Sequence, residues 1–186
     1  MVKLVYSAIA SMDGYTTDED GNFDLLAPDA EVHAFINDLE RGFGTCLYGR
    51  RMYEMLVYRE SPEADDDKSP IALDFAGLWM AADKVVYSRT LEGVSSAKTR
   101  LERSFDPEAV RRMKEQADRD LSIGGSELAG QALEAGLVDD IHLFLMPVMF
   151  GGGKAVLPDH VPATVELLGV DRFEHGVVHL HYGIAT

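Results

Sequence analysis

The sequence has one cysteine, no long hydrophobic run and few basic residues, and each shortage excludes a class of protein. With Cys46 alone, the chain cannot form an internal disulfide, which is typical of reducing compartments. No apolar run approaches the roughly 18 residues that predict a membrane-spanning helix, and no signal-peptide pattern opens the chain. We therefore expect a cytoplasmic protein with no membrane partner.

The shortage of basic residues bears on the ligand. The 17 Lys and Arg residues stand against 32 Asp and Glu residues, which gives a net charge of −15. Such a chain repels nucleic acid and anionic lipid, so we expect neither as a partner. If the ligand is itself an anion, the basic residues that bind it must be few and close together.

The chain is long enough for one domain with a substantial core, and we predict a single domain over residues 1–186. Strand patterns occur at 2–10, 45–48, 84–87, 98–101, 121–123, 141–148, 165–173 and 177–185. Helical patterns occur at 28–39, 50–57, 71–82, from 107 onward and at 128–133, and the acidic residues 60–70 predict a surface loop. This alternation, ending in two strands, predicts an α/β fold with a mixed sheet and a C-terminal antiparallel hairpin.

Three predicted strands end in sequences suited to binding phosphate. These are Gly49-Arg50-Arg51, Ser88-Arg89-Thr90, and Gly124-Gly125-Ser126 at the start of the helix that contains Leu128. Open α/β sheets bind ligands at the carboxyl ends of their strands, so the three ends could form one site. A glycine turn at a helix start offers free N–H groups to a pyrophosphate, and arginine binds a terminal phosphate with a forked contact. Each arginine taken alone is also compatible with a solvated loop.

Four segments together carry a resemblance to a known family: Ser11–Gly14, Gly49–Glu54, Lys84–Leu91, and Ile123–Ser126 with Gly136–Asp139. The chain resembles the dihydrofolate-reductase-like family over nearly its whole length. Within that family it is similar to the C-terminal reductase domain of the bifunctional riboflavin deaminase-reductase and to the stand-alone relatives of that domain. The resemblance implies a mixed, mostly parallel eight-stranded sheet flanked by helices, a homodimer, and NADPH as the cofactor.

The resemblance also implies roles for individual residues. Arg50 and Arg89, with Ser88, would hold the adenosine 2′-phosphate, and the loop 11–24 would close over the nicotinamide. The pyrophosphate would lie on Gly124, Gly125 and Ser126. The full predicted cofactor-binding set is Gly49, Arg50, Arg51, Ser88, Arg89, Thr90, Gly124, Gly125, Ser126 and Leu128.

Two local features of this predicted site are unusual. Many relatives carry Thr where this chain has Met52, so one hydroxyl contact to a phosphate would be missing. The folate reductases hold a Gly-Gly bond in cis, and the resemblance carries that expectation to Gly124–Gly125. The alternative is a trans turn with positive φ at one glycine. In either case, we expect the Cβ of any other residue at these two glycines to clash with both the turn and the ligand.

Reduction of a carbonyl or imine needs a proton as well as a hydride. The candidates are Asp13, Asp24, Asp29 and Glu31, because a carboxyl group in an apolar cleft has a raised pKa and can donate a proton. Asp13 is equally compatible with a turn, and Asp29 and Glu31 with the first turn of a helix.

The predicted function is an NADPH-dependent reductase that transfers a hydride to a small heterocyclic or carbonyl substrate, similar to a ribosylamino-uracil phosphate or a pterin. The alternative is a non-catalytic nucleotide-binding or dimeric interaction protein on the same fold. His179 and His181 lie two residues apart on the last strand, but no third ligand is evident, so no metal site is predicted. Cys46 is expected to be buried as a small apolar residue.

Overall fold

The structure, a computed structural model, describes residues 1–58 and 69–185. The strands are β1 Leu4–Ser11, β2 Tyr15–Thr17, β3 Phe43–Gly49, β4 Asp83–Tyr87, β5 Thr99–Glu102, β6 Asp120–Gly124, β7 Asp140–Met146, β8 Lys154–Ala155, β9 Val165–Arg172 and β10 Val178–Ile184. The α-helices are α1 Ala30–Glu40, α2 Arg50–Val57, α3 Pro70–Ala81, α4 Pro107–Gln116 and α5 Ser126–Glu134. None of these described helices has the length and apolar character needed to cross a membrane.

Eight of the strands form one sheet in the order β5-β4-β3-β6-β1-β7-β10-β9. The strands from β5 to β7 are parallel, and β10 is antiparallel to both β7 and β9. The α/β class, the mostly parallel eight-stranded sheet and the C-terminal hairpin are therefore confirmed. Because β4, β3 and β6 are parallel neighbours, their carboxyl ends meet at one edge of the sheet.

Helices cover both faces of this sheet, which explains why its central strands are apolar on both sides. On one face, Leu4 and Leu121 pack with Val110 of α4 and Ala129 of α5. On the other face, apolar side chains of β3 and β4 pack against α2 and α3, and Phe144 of β7 packs with side chains of α1. Leu4 is fully buried, so truncation to alanine would cost about 2–5 kcal/mol of folding free energy.

Two short strands escaped prediction from the sequence. Tyr15–Thr17, inside the predicted loop 11–24, pairs with Lys154–Ala155, for which no strand was predicted, in a separate two-stranded sheet. Segments of three and two residues are too short to show the alternation that predicts a strand. The predicted loop at 60–70 lies outside the described residues except for Ser69 and Pro70. Those two residues begin α3, since the Ser69 hydroxyl accepts a hydrogen bond from the Ala72 N–H at 3.2 Å.

Candidate functional site

A cleft of about 570 Å³ lies at the carboxyl ends of β3, β4 and β6. All three predicted phosphate-binding segments contribute to it. Seven of the ten predicted cofactor-binding residues line the cleft: Gly49, Arg50, Arg51, Ser88, Arg89, Gly125 and Leu128. The other lining residues are Met52, Tyr87, Arg103, Ser104, Phe105, Glu127, Gln131 and Lys154. The three segments therefore lie together at one opening, and their role in binding a cofactor stays a prediction.

Two helices begin at the edge of this cleft without a side-chain cap. Gly49 ends β3 and is the N-cap of α2, and Gly125 follows β6 and is the N-cap of α5. The other three described α-helices are capped by Asp29, Ser69 and Asp106. Uncapped helix starts leave N–H groups without partners at the positive end of the helix dipole. The cleft therefore presents two such ends to an anion.

The turn between β6 and α5 corrects one prediction. The described chain contains no cis peptide bond, so the expectation of a cis Gly124–Gly125 bond is wrong. The alternative of a trans turn is correct, because Gly125 has φ +91° and its left-handed backbone alone supplies the reversal before α5 starts.

The expectation that a Cβ would clash with this turn is wrong for Gly125 and holds for Gly124. A Cβ on Gly125 would meet no atom within 4 Å, whereas one on Gly124 would lie 2.6 Å from the Met52 sulfur. Gly124 is buried, and the close approach at Gly124 is to Met52, a side chain of α2 that also lines the cleft. The missing hydroxyl at position 52 is thus replaced by an apolar group that packs on the glycine turn.

Arg50 is already paired within the protein. Its Nε lies 2.8 Å from a carboxylate oxygen of Glu54, and one terminal nitrogen donates to the Thr90 hydroxyl at 2.8 Å. This contact ties the start of α2 to the turn after β4 and explains the position of Thr90, which does not line the cleft. Arg50 therefore has part of its charge and two of its donors committed before any ligand arrives.

Arg51 and Arg89 differ from Arg50 in this respect. Both guanidinium groups are exposed at the cleft, and neither makes a hydrogen bond or an ion pair with the residues that the structure describes. The Ser88 hydroxyl shapes the turn that carries Arg89, because it accepts hydrogen bonds from the Thr90 and Leu91 N–H groups at 3.3 and 3.0 Å. Arg89 is therefore presented on an ordered turn, and none of its donors is used within residues 1–58 and 69–185.

Two basic residues of the cleft were absent from the predicted set. Arg103 follows β5, and its guanidinium donates to the Leu91 and Ser88 carbonyls at 2.6 and 3.3 Å. Lys154 in β8 pairs with Glu127 at 2.7 Å, and this hydrogen bond lowers the pKa of the Glu127 carboxyl. Arg103 could have been predicted from the sequence, because it follows β5, a fourth parallel strand that ends at the same edge of the sheet. Lys154 comes from a strand too short to predict.

The electrostatics of the cleft are opposite to those of the whole chain. Among the residues that the structure describes, five cationic residues line it, namely Arg50, Arg51, Arg89, Arg103 and Lys154, and Glu127 is the one acid. Although the protein has a net charge of −15, nearly a third of its 17 basic residues lie around this one opening. Such a concentration of positive charge next to two helix starts favours a ligand with several phosphate charges.

None of the four proton-donor candidates lines this cleft. The Asp13 carboxylate accepts hydrogen bonds from the Phe150 and Gly151 N–H groups at 3.1 and 2.7 Å, and a hydrogen bond with Ser11 is the largest of the effects that lower its pKa. The ionised Asp13 carboxylate therefore holds the backbone of the segment after β7, so Asp13 is a poor proton donor.

The remaining candidates lie near α1. Asp29 caps that helix by accepting the Val32 N–H at 2.9 Å, and Glu31 accepts the Glu174 N–H at 3.0 Å. Asp24 is exposed at the start of a short 3₁₀ turn, and its carboxylate makes no hydrogen bond with the described part of the chain. The choice of proton donor stays a prediction.

The comparisons with known proteins identify the family and the fold. The protein YyaP of Bacillus subtilis (strain 168), itself uncharacterized, is 24% identical over 191 residues, which cover 97% of this chain and 94% of that protein. A crystal structure described as a riboflavin biosynthesis protein of Shewanella sp. PV-4 matches the whole of both chains with a TM-score of 0.78 and 17% identity.

Two further solved structures share the fold. A deaminase/5-amino-6-(5-phosphoribosylamino)uracil reductase of Thermotoga maritima matches 99% of this chain and 57% of its own, with a TM-score of 0.68 and 15% identity. A dihydrofolate reductase of Enterococcus faecalis, solved with NADP(H), matches 99% of this chain and 97% of its own, with a TM-score of 0.64 and 13% identity. The sequence profile of one family, described as the RibD C-terminal domain, matches residues 2–179. This chain therefore belongs to the RibD C-terminal domain family, on a dihydrofolate-reductase-like fold.

Proposed function

We propose that this chain is an NADPH-dependent reductase that binds its cofactor in the cleft and transfers a hydride to a small heterocyclic or carbonyl substrate. The observation that carries the proposal is the cleft itself, which combines five cationic residues and two uncapped helix starts on an acidic protein. The family and the NADP(H) complex of a dihydrofolate reductase with the same fold support the choice of cofactor.

The lining residues fit the chemistry of a dinucleotide that carries an additional phosphate. The start of α5 at Gly125 and Ser126 would hold the pyrophosphate, since its N–H groups have no cap. Arg89, with Arg50 and Arg51, would hold the 2′-phosphate. When bound, NADPH supplies the hydride, and the chain supplies binding, orientation and exclusion of water.

The proposed substrate is a ribosylamino-uracil phosphate or a related heterocycle such as a pterin. The support is the family, together with the uracil reductase activity in the description of the Thermotoga maritima protein. Among the four candidate acids, we propose Asp24 as the proton donor. Asp13 and Asp29 are held in structural hydrogen bonds, and Glu31 accepts a backbone N–H.

The alternative is a nucleotide-binding protein without turnover. One observation favours it: the best-placed acids of the first loop and of α1 have structural roles, so the described chain offers few groups to deliver a proton. One assay separates the two functions. It measures the loss of NADPH absorbance in the presence of the ribosylamino-uracil phosphate, and then in the presence of a dihydropterin. Oxidation in the wild type, slowed in Asp24→Asn, supports the reductase. Binding of NADPH without oxidation by either substrate supports the alternative, and absence of binding overturns both.

We also propose that the protein is a homodimer that assembles through β9. This strand forms one edge of the sheet, and Val165, Leu167, Leu168 and Val170 are each between 43% and 55% exposed. An edge strand with unpaired backbone groups and exposed apolar side chains is a surface that a partner normally covers. A second copy of the same strand offers the matching apolar surface.

A further inference from the structure

The C-terminal hairpin carries a cluster of titratable side chains that the cleft does not use. The register of β10 against β7 places His181 opposite His142, and Asp140 lies two residues before His142 on the same face. One ligand atom from each of these three residues lies within 4.8 Å of the other two. Asp140 and His142 are buried, and the His181 side chain is 26% exposed.

A hydrogen-bonded chain orients His142 towards one tautomer. Its Nδ1 lies 2.9 Å from Nε2 of His179, and Nδ1 of His179 lies 2.9 Å from a carboxylate oxygen of Asp171. If His179 donates from Nδ1 to the carboxylate, its Nε2 accepts from Nδ1–H of His142. Nε2 of His142 then carries a lone pair and no proton. An imidazole held through its other nitrogen in this way is the usual arrangement of a metal ligand.

We propose that Asp140, His142 and His181 bind a divalent transition-metal ion, with zinc as the physiological candidate. Two imidazole nitrogens and one carboxylate oxygen form a ligand set that suits Zn²⁺, with water in the fourth position. His179 and Asp171 act as the outer shell that holds His142. The sequence pointed to His179 and His181, of which only His181 is a ligand in this proposal. The other two ligands, Asp140 and His142, come from β7, and only the strand register brings them close to His181.

The His181 ring has to move for the ion to enter. It stacks on the His142 ring with centroids 4.0 Å apart, and its Nε2 lies 3.0 Å from the Asp140 carboxylate. The pairing of β10 with β9 is irregular between His181 and Tyr182, and irregularities of this kind allow a side chain to be re-aimed. Partial exposure of His181 also gives the ion a path from solvent.

Lys3 is the competitor for this site. Its ammonium group lies 2.7 Å from the Asp140 carboxylate, and its side chain is 46% exposed. The ammonium group neutralises the buried carboxylate when no ion is present, and it can turn into solvent when an ion arrives. This competition makes a distinctive prediction, since removal of the lysine charge should tighten the binding of a divalent cation.

The cluster lies away from the cleft. Asp140 begins β7 and pairs with Val5 near the start of β1, whereas the cleft lies at the carboxyl ends of the parallel strands. A metal bound by β7 and β10 would join the hairpin to the central sheet. We therefore expect the ion to stabilise the fold without entering the chemistry of the cleft.

Cobalt titration of the intact protein tests the proposal, because Co²⁺ in such a site gives visible absorption bands. The wild type is expected to bind one Co²⁺, which Zn²⁺ displaces, and Zn²⁺ should raise its Tm. We expect His181→Gln to weaken binding at least tenfold and His179→Gln to weaken it by about 10–100-fold through the outer shell. Lys3→Met should bind several-fold more tightly.

The matched control is His160→Asn, which removes an exposed histidine outside the cluster at a position with φ +65° that asparagine tolerates. This variant should bind Co²⁺ like the wild type. The proposal is overturned if the wild type shows no saturable binding of one ion, or if a folded His181→Gln variant binds as tightly as the wild type. Should His181→Gln fail to fold, Lys3→Met decides the question, because unchanged or weaker binding in that variant contradicts the proposed competition.

Discussion

Arg89 and Arg50 should contribute unequally to cofactor choice, although the sequence presents them as equivalent. Arg50 is paired with Glu54 and Thr90, whereas Arg89 makes no hydrogen bond or ion pair within the described residues. A charge-assisted hydrogen bond contributes about 1.5–3 kcal/mol. If Arg89 contacts the 2′-phosphate, Arg89→Ala should therefore weaken NADPH binding by about 10- to 150-fold. NADH lacks that phosphate, so its affinity should change little.

The effect of Arg50→Ala is expected to be smaller. In the wild type, a phosphate must compete with the Glu54 carboxylate for the Arg50 guanidinium, and part of the binding energy is lost in breaking that pair. Isothermal titration of NADPH and NADH into the wild type and both variants measures these differences.

Arg112→Ala is a suitable control, because Arg112 is an exposed arginine of α4 outside the cleft and its only described ion pair, with Asp106, is long at 3.8 Å. It should leave both affinities unchanged. Equal affinity of the wild type for NADPH and NADH would refute the reasoning, as would an Arg89→Ala variant that loses affinity for both cofactors to the same extent.

Three further predictions follow from single features of the structure. Burial raises the pKa of Glu40 to about 7, so its ionisation opposes folding as the pH rises from about 4.5 through about 7. Glu40→Gln should thus stabilise the protein near pH 8 by at most about 3 kcal/mol and have little effect near pH 4, as measured by urea unfolding at both pH values. An alanine side chain at position 125 would meet no atom within 4 Å, but the backbone there has a φ of +91°, which alanine rarely adopts. Gly125→Ala should therefore lower the free energy of unfolding by about 1–3 kcal/mol in thermal denaturation and weaken NADPH binding. Wild-type affinity for NADPH in this variant would leave the turn purely structural. Light scattering should give a dimer for the wild type and a 20.5 kDa particle for Leu167→Asp; a wild-type monomer at micromolar concentration would exclude assembly through β9.

The order of strands and helices could be derived from the sequence because each long element carries its own pattern. The apolar runs at 84–87 and 121–123 became β4 and β6, and Pro107 after Asp106 marked the start of α4. The cleft could also be anticipated in outline. Parallel neighbouring strands end at the same edge, so Gly49, Ser88 and Gly125 had to lie near one another once those strands were recognised.

Other features depended on distances that no local pattern encodes. The sequence suggested a strained bond at Gly124–Gly125, but the positive φ of Gly125 was sufficient to turn the chain. Asp13 looked like a possible acid until the structure placed it on the N–H groups of Phe150 and Gly151.

The pairing of side chains across elements was decided only by tertiary structure. Glu54 lies one helical turn after Arg50, yet the hydrogen bond from Arg50 to Thr90 requires α2 and the turn after β4 to meet. Asp140 joins His181 because β7 and β10 pair in one particular register, and a shift of one residue would move it to the opposite face. Composition and periodicity act over a few residues and determine which elements form, whereas the contacts that tune charge in the cleft and in the hairpin cluster arise from packing between distant segments.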